Sequence, residues 1–228
     1  MLLTGKRVPL AREAFEPGLA AQYDQHARRF MGPIYRDLAR QFRSLAGLEG
    51  QILDVGSGSA LLAVELALTP GARYSITALD LSPEMLKLAR SNLQKAGLDD
   101  KITLRLGSAA NLAFADSSFD FVVSNASLHS WREPLAVLNE IGRVLKAGGL
   151  GLIRDNMRVP YLLFPAIEMA SRCQGMNPAQ RQLWWRAIGA SYTPAEVRRL
   201  LKNAGWHGAR VNLNVRFLDL TICWFKRR

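Results

Sequence analysis

Cysteine and histidine are scarce in this 228-residue chain, which has only Cys173 and Cys223, and His26, His129 and His207. Two cysteines so far apart give neither a disulfide framework nor a metal site, and three scattered histidines do not make a histidine metal centre. No metal is therefore expected. Long apolar runs are missing too. The nearest, Tyr161 to Ala170, is interrupted by Pro165 and Glu168, so no transmembrane segment is expected. Met1 to Pro9 has no apolar signal core, and the expected location is cytoplasmic. Dense Lys/Arg blocks, internal repeats and low-complexity tracts are also absent.

The composition that remains is ordinary for a globular protein, with 49% hydrophobic residues. The net charge is +11, and residues 154–228 alone carry +9. A basic third could attract nucleic acid, anionic lipid or an acidic substrate, but no RNA-binding signature accompanies it.

Strand and helix patterns alternate through the middle of the chain. Strands are expected at Ile52 to Val55, Tyr74 to Leu79, Ile102 to Leu106, Phe119 to Ser124 and Leu150 to Arg154. Helices are expected from Ala60, from Ser82-Pro83-Glu84 (an N-cap serine followed by proline) and over Leu135 to Leu145. Such alternation predicts an α/β protein with an open, mainly parallel sheet and helices on both faces. Apolar residues at helical spacing over 19–46 predict two helices split at Gly32-Pro33. Past Arg154 the rhythm changes. Residues 155–192 show no clear strand, Thr193-Pro194-Ala195-Glu196 starts a capped helix, and Val211 to Val215 and Leu218 to Trp224 close the chain as strands. One domain over 1–228 is expected: an N-terminal helical lid at 1–47, a cofactor-binding core at 48–154, a helical substrate cap at 155–192 and a closing helix and strands at 193–228.

The chemistry-bearing pattern is Asp54-Val55-Gly56-Ser57-Gly58-Ser59-Ala60 followed by Asp80 at the end of the next strand. Gly56 and Gly58 allow a sharp turn and close approach of a ligand. A carboxylate at position 80 can accept both hydroxyls of a ribose. Two nucleoside-bearing ligands compete. NAD places pyrophosphate on a Gly-x-Gly-x-x-Gly turn, but the third glycine position here is Leu61, and Asp54 would repel pyrophosphate. The same Asp54 can hold the positively charged amino end of a methionine moiety.

From these residues the chain resembles the class I S-adenosylmethionine-dependent methyltransferases. Ile52 to Ala60 is similar to their first motif, Leu79 to Leu86 to the second, Ser118 to Asn125 to the fourth-strand motif, and Arg143 to Gly149 to the turn before strand five. The resemblance implies a Rossmann-like, seven-stranded mixed sheet with helices on both faces, an antiparallel last strand and a helical insertion after strand five. It implies S-adenosylmethionine as cofactor, bound by Asp54, Gly56, Ser57, Gly58, Asp80, Leu81, Met85, Ser108, Ala109 and Asn125. Two positions depart from the pattern: Ala60 replaces a usual glycine, and Ser108 stands where an aspartate often accepts from adenine.

His129, four residues beyond Asn125, is the candidate catalytic base. Tyr23, His129, Trp184 and Tyr192 are candidate substrate contacts, and the apolar, aromatic insertion suits a hydrophobic or planar small molecule. Arg154-Asp155-Asn156 and Ser191 to Val197 resemble a subgroup near the ubiquinone/menaquinone-biosynthesis C-methyltransferases. Those enzymes usually have Gly-Leu-Arg-Asn where this chain has Ser127-Leu128-His129-Ser130, which argues against a quinone acceptor. The expected function is methyl transfer to a small molecule. The alternatives are an RNA methyltransferase using the basic third and a non-catalytic S-adenosylmethionine-binding protein.

Overall fold

The computed structural model describes residues 5–10, 17–173, 175–214 and 217–227. Residues 1–4 and 11–16 of the expected lid, and Val215 of the expected sixth strand, lie outside them. Helices α1 (Pro17–His26) and α2 (Gly32–Ala46) precede a βα succession: β1 (Glu49–Val55), α3 (Leu61–Ala67), β2 (Arg73–Asp80), α4 (Pro83–Ala96), β3 (Ile102–Leu106), β4 (Phe119–Asn125), α5 (Pro134–Val144) and β5 (Leu145–Asn156). Then come α6 (Phe164–Cys173), α7 (Pro178–Ala190), α8 (Pro194–Asn203), β6 (Arg210–Asn214) and β7 (Asp219–Phe225). The strands form one seven-stranded sheet in the order β3-β2-β1-β4-β5-β7-β6. β1 to β5 pair in parallel, and β7 runs antiparallel between β5 and β6. This is the Rossmann-like mixed sheet expected from the motifs.

Both faces of the sheet are covered, so its central strands read as continuous apolar runs. Ile52 and Val123 pack with Phe42, Leu38, Leu66 and Leu93 on one face; Leu53, Val55 and Ile153 pack with Ile141, Val197 and Leu220 on the other. Each fully buried Leu, Ile or Phe of these layers contributes about 1.5–3 kcal/mol. Trp206 stacks on Trp224 with ring centroids 4.4 Å apart, and their indole N–H groups donate to the Leu138 and His207 carbonyls, both at 3.2 Å.

Local chemistry sets the helix starts. The Ser82 hydroxyl accepts from Met85 N at 3.3 Å, and Thr193 and Glu196 close a reciprocal capping box. Asn177 and Gln180 form a second such box, which starts α7. As expected, two helices divide at Gly32-Pro33, where α2 begins, although the chain stays helical across the junction. A π-helical turn, Ala27–Met31, joins α1 to α2, and Gly32 is itself helical at φ −51°. Pro33 falls in the first turn of α2, where a missing N–H costs nothing. Strand β5 is longer than expected and takes in Gly148-Gly149, because its register against β4 is irregular between Phe119 and Phe121.

Part of the positive charge of the C-terminal third is held in internal ion pairs. Arg154 is 1% exposed and pairs with Asp219 and, at 2.9 Å, with Asp37 of α2. Arg158 pairs with Glu196 at 2.6 Å, and Arg172 and Arg181 both pair with Glu168. No helix among the described residues is long and apolar enough to cross a membrane.

Candidate active site

In the order β3-β2-β1-β4-β5 the direction of winding reverses between β1 and β4, and a crevice opens there at the carboxyl ends of the strands. The loop after β1 crosses it. Gly56 N and Ser57 N both donate to the Leu79 carbonyl, at 2.9 and 3.0 Å, which fastens the loop to β2. Gly56 has φ +68°, and a Cβ there would lie 2.7 Å from the Ser127 side chain. Gly58 has φ +54°, but a Cβ there would enter open space. Gly56 is thus required by the protein's own packing, and Gly58 leaves room for something else. Ala60 takes a left-handed conformation at φ 61°, so α3 begins at Leu61.

Two carboxylates flank this loop. Asp54 is 1% exposed, and its Oδ2 has no hydrogen-bond partner. Burial first, and the Asp80 charge second, push its pKa up to about 8. Asp80 accepts from Gly58 N and Ser82 N, both at 2.8 Å. Burial still raises its pKa, against the lowering effect of those bonds. Accepting two bonds leaves about half of a carboxylate's lone-pair sites for a ligand.

These loops bound a cavity of about 990 Å³. That is the upper end of the range for ligand sites, roughly 300–1,000 Å³, and has room for a cofactor beside a second small molecule. It is lined by Asp54, Gly56, Ser57, Gly58, Asp80, Leu81, Met85, Ser108, Ala109 and Asn125, and also by Tyr23, His129 and Trp184. Residues separated by up to 161 positions along the chain therefore meet at one site. Tyr192 is the exception. Its ring packs in the core with Trp131 and Val197 and lies 4.1 Å beneath the Arg7 guanidinium. Its backbone bridges Met157, so it braces the end of β5 and does not line the cavity.

The second functional cluster is one the motifs did not pair. His129 lies on a 3-10 turn, Leu128–Ser130, after β4. Its Nδ1 is 2.7 Å from Asp155 Oδ1, and its backbone N donates to Asp155 Oδ2 at 2.7 Å. Asp155, on β5, also accepts from Asn156 N at 2.6 Å and is 3% exposed. A buried carboxylate in that position holds Nδ1 as the protonated nitrogen and leaves Nε2 as the basic one. Arg7 reaches over this turn, donating to the His129 carbonyl at 3.0 Å and to the Ala190 carbonyl at 2.6 Å. A histidine on the turn after β4 and a buried aspartate on β5 cannot be paired from sequence alone, because the two strands are joined only through a helix.

The unmet polar atoms of the crevice bear on its fit to S-adenosylmethionine. Buried polar atoms left unpaired cost about 1–3 kcal/mol each. Of six such side-chain atoms among the described residues, four belong to residues of this cavity: His26 Nδ1, Asp54 Oδ2, Ser57 Oγ and Asn125 Nδ2. A ligand with an ammonium group, a sulfonium and hydroxyls matches two under-neutralised carboxylates and the hydrogen-bonding side chains around them.

Comparison with known proteins agrees with this geometry. A model of the methyltransferase-domain family matches residues 53–153. The chain is 37% identical over 181 residues to the demethylmenaquinone methyltransferase of Bacillus velezensis, covering 75% of this chain and 76% of that one. This chain belongs to the class I S-adenosylmethionine-dependent methyltransferases. It is also 40% identical over 104 residues to the demethylmenaquinone methyltransferase of Desulfitobacterium hafniense, covering 46% of this chain and 41% of that one. The chain spans about half the length of most of the curated relatives it matches, between 40% and 57% of them. Among solved structures, a Methanococcus maripaludis protein assigned to the S-adenosylmethionine-dependent methyltransferases superposes with a TM-score of 0.76 at 25% identity, covering 98% of both chains. The cofactor of this methyltransferase is S-adenosylmethionine.

Proposed function

We propose that this methyltransferase transfers the methyl group of S-adenosylmethionine to a small molecule with an apolar or aromatic body, and that His129 is the base. The observation that supports it most is the single cavity, with a carboxylate-flanked glycine loop on one side and a buried His–Asp pair on the other. When bound, the cofactor supplies a methyl group already activated on a sulfonium, so positioning can supply much of the rate.

In this reading Asp54 holds the ammonium group, and Asp80 accepts from the ribose hydroxyls. Leu81 and Met85 flank the adenine, with Ser108 and Ala109 at its edge. Gly56, Ser57 and Gly58 shape the backbone around the cofactor, and Asn125 faces its methionine portion. His129 Nε2 takes the proton that an oxygen, nitrogen or carbon acceptor gives up, and Asp155 stabilises the imidazolium that results. Tyr23 and Trp184 bound the acceptor's side. Tyr23 stays a neutral phenol, because burial, assisted by the Asp155 charge, pushes its pKa up to about 12. Helices α1 and α2 serve as the lid, tied to the loop after β1 through Asn92, whose amide donates to Asp24 Oδ1 at 3.3 Å and to the Ser59 carbonyl at 2.8 Å.

The test is incubation with methyl-labelled S-adenosylmethionine and fractionated cell extract. Label is expected in low-molecular-weight, organic-extractable material and not with Asp80→Ala. Label in RNA or protein, or none in any fraction, would overturn the reading.

A further inference from the structure

Charge divides the cavity. The acidic residues that line it, among those described, are Asp54 and Asp80, both at strand ends. Its other side is formed by the N-terminal helices and the insertion, which contribute two arginines: Arg29, from the π-helical turn between α1 and α2, and Arg186, from α7. Neither has a carboxylate partner among the described residues. Arginines close to them on the same elements do: Arg28 pairs with Asp24, Arg36 with Glu65, and Arg181 with Glu168. The Arg29 guanidinium sits 5.0 Å from the Phe30 ring centroid, which orders it without neutralising it. His26, one helical turn before Phe30, adds a buried Nδ1 with no hydrogen-bond partner. The same elements add apolar surface to this wall, with Phe30, Ile34, Leu183 and Trp184.

We infer that Arg29 and Arg186 form an anion-recognition site, and that the acceptor is an apolar molecule bearing a carboxylate or phosphate group. This rests on the methyl-transfer reading and narrows its substrate class. A cationic cofactor and an anionic acceptor have opposite electrostatic preferences, so a cavity polarised in this way sorts them to opposite ends. Planar guanidinium groups match carboxylate and phosphate oxygens in bidentate geometry. The anchoring anion and the methyl-accepting atom then lie at opposite ends of the acceptor's apolar body. Selection follows from the same arrangement: a neutral apolar molecule forgoes both guanidinium contacts, and a cationic one is repelled.

The experiment is calorimetric titration of the full chain, saturated with S-adenosylmethionine, with four probes below their micellar concentrations: dodecanoate, dodecyl phosphate, dodecanol and dodecyltrimethylammonium. Dodecanoate or dodecyl phosphate is expected to bind at least roughly tenfold more tightly than dodecanol, as one charge-assisted contact allows. Whichever of the two binds more tightly identifies the anion. The double variant Arg29→Gln/Arg186→Gln is expected to erase that preference while S-adenosylmethionine affinity stays within about twofold; both side chains are exposed, and an unchanged unfolding midpoint verifies the fold. Equal or tighter binding of dodecanol or of the cation, an unchanged preference in the double variant, or no binding of any probe would overturn the anion site. A wild-type chain that fails to bind S-adenosylmethionine would instead overturn the methyl-transfer reading on which it rests.

Discussion

The two ends of the cavity are built differently. At the strand ends, short loops place carboxylates and backbone N–H groups with hydrogen bonds of 2.8–3.0 Å among neighbours on β1 and β2. The rest of the lining comes from helices α1, α2, α6 and α7 and the π-helical turn, which contribute mainly apolar and aromatic side chains, with His26, Gln180, Arg29 and Arg186 as the polar ones apart from the tyrosine hydroxyls. The first end is specified by backbone conformation and polar atoms, and the second by side-chain volume. Changes at the first should therefore act on cofactor affinity, and changes at the second on acceptor selection. The His129–Asp155 pair, at the boundary, should act on the chemical step.

The largest effect is expected at that boundary. His129→Gln should lower single-turnover methyl transfer by about 10²–10⁴-fold, the usual contribution of a general base, with S-adenosylmethionine Kd unchanged. Asp155→Asn should lower the same rate, because an amide can hold the wrong tautomer. Equal losses in cofactor affinity would erase the distinction between the two ends. At the cofactor end, Asp80→Ala should weaken S-adenosylmethionine binding about a hundredfold, from two lost hydrogen bonds to a charged group, with little change in the far-ultraviolet circular dichroism spectrum. Unchanged affinity would refute the ribose assignment. Gly58→Ala should also weaken cofactor binding at a small cost in stability from its left-handed backbone, whereas Gly56→Ala should destabilise the fold more, since only at Gly56 would the new methyl also collide with Ser127.

The next effect is one of pH. The Asp54 carboxyl, with its pKa raised to about 8, is protonated near neutrality in the ligand-free protein. Binding an ammonium favours its ionised form and expels that proton, so affinity should rise with pH by up to about tenfold per unit below pH 8 and then level off. The ligand-free protein should move the other way. A carboxyl whose folded pKa is raised favours the protonated folded state, so stability should fall as pH climbs from about 4 to about 8. Asp54→Asn should abolish both slopes, as read by calorimetry and thermal unfolding. The smallest effect belongs to the acceptor end: Trp184→Ala should raise acceptor KM by about tenfold or less, consistent with the 3–5 kcal/mol upper range for a fully buried aromatic and the partial burial of this one, and should leave cofactor Kd alone.

This contrast also explains what could be read in advance. Strands β1 to β5 and the loop between Asp54 and Asp80 are local βα units, in which apolar runs, capping residues and glycines act over a few residues. Boundaries moved where long-range pairing intervened. β5 extends through Gly148-Gly149 because it pairs again with β4 at Leu145 and Phe119 beyond an irregularity in the register, and a π-helical turn joins the two N-terminal helices ahead of Pro33. At the acceptor end the adjacent Trp184 and Trp185 both pack against Val159, Ile167 and Ile188. In the fold Trp184 lines the cavity, while the Trp185 indole donates to Glu168 at 2.8 Å.

By itself, then, the sequence determined the class of sheet and the cofactor, because the glycine turn and its two flanking carboxylates lie on consecutive βα units. Tertiary structure alone decided the rest. It joined His129 to Asp155 across β4 and β5, removed Tyr192 from the cavity, drew Arg154, Arg158, Arg172 and Arg181 of the basic C-terminal third into ion pairs, and left Arg29 and Arg186 without a carboxylate partner among the described residues. Those outcomes depend on how helices pack over a sheet, a long-range choice that no local pattern in the chain encodes.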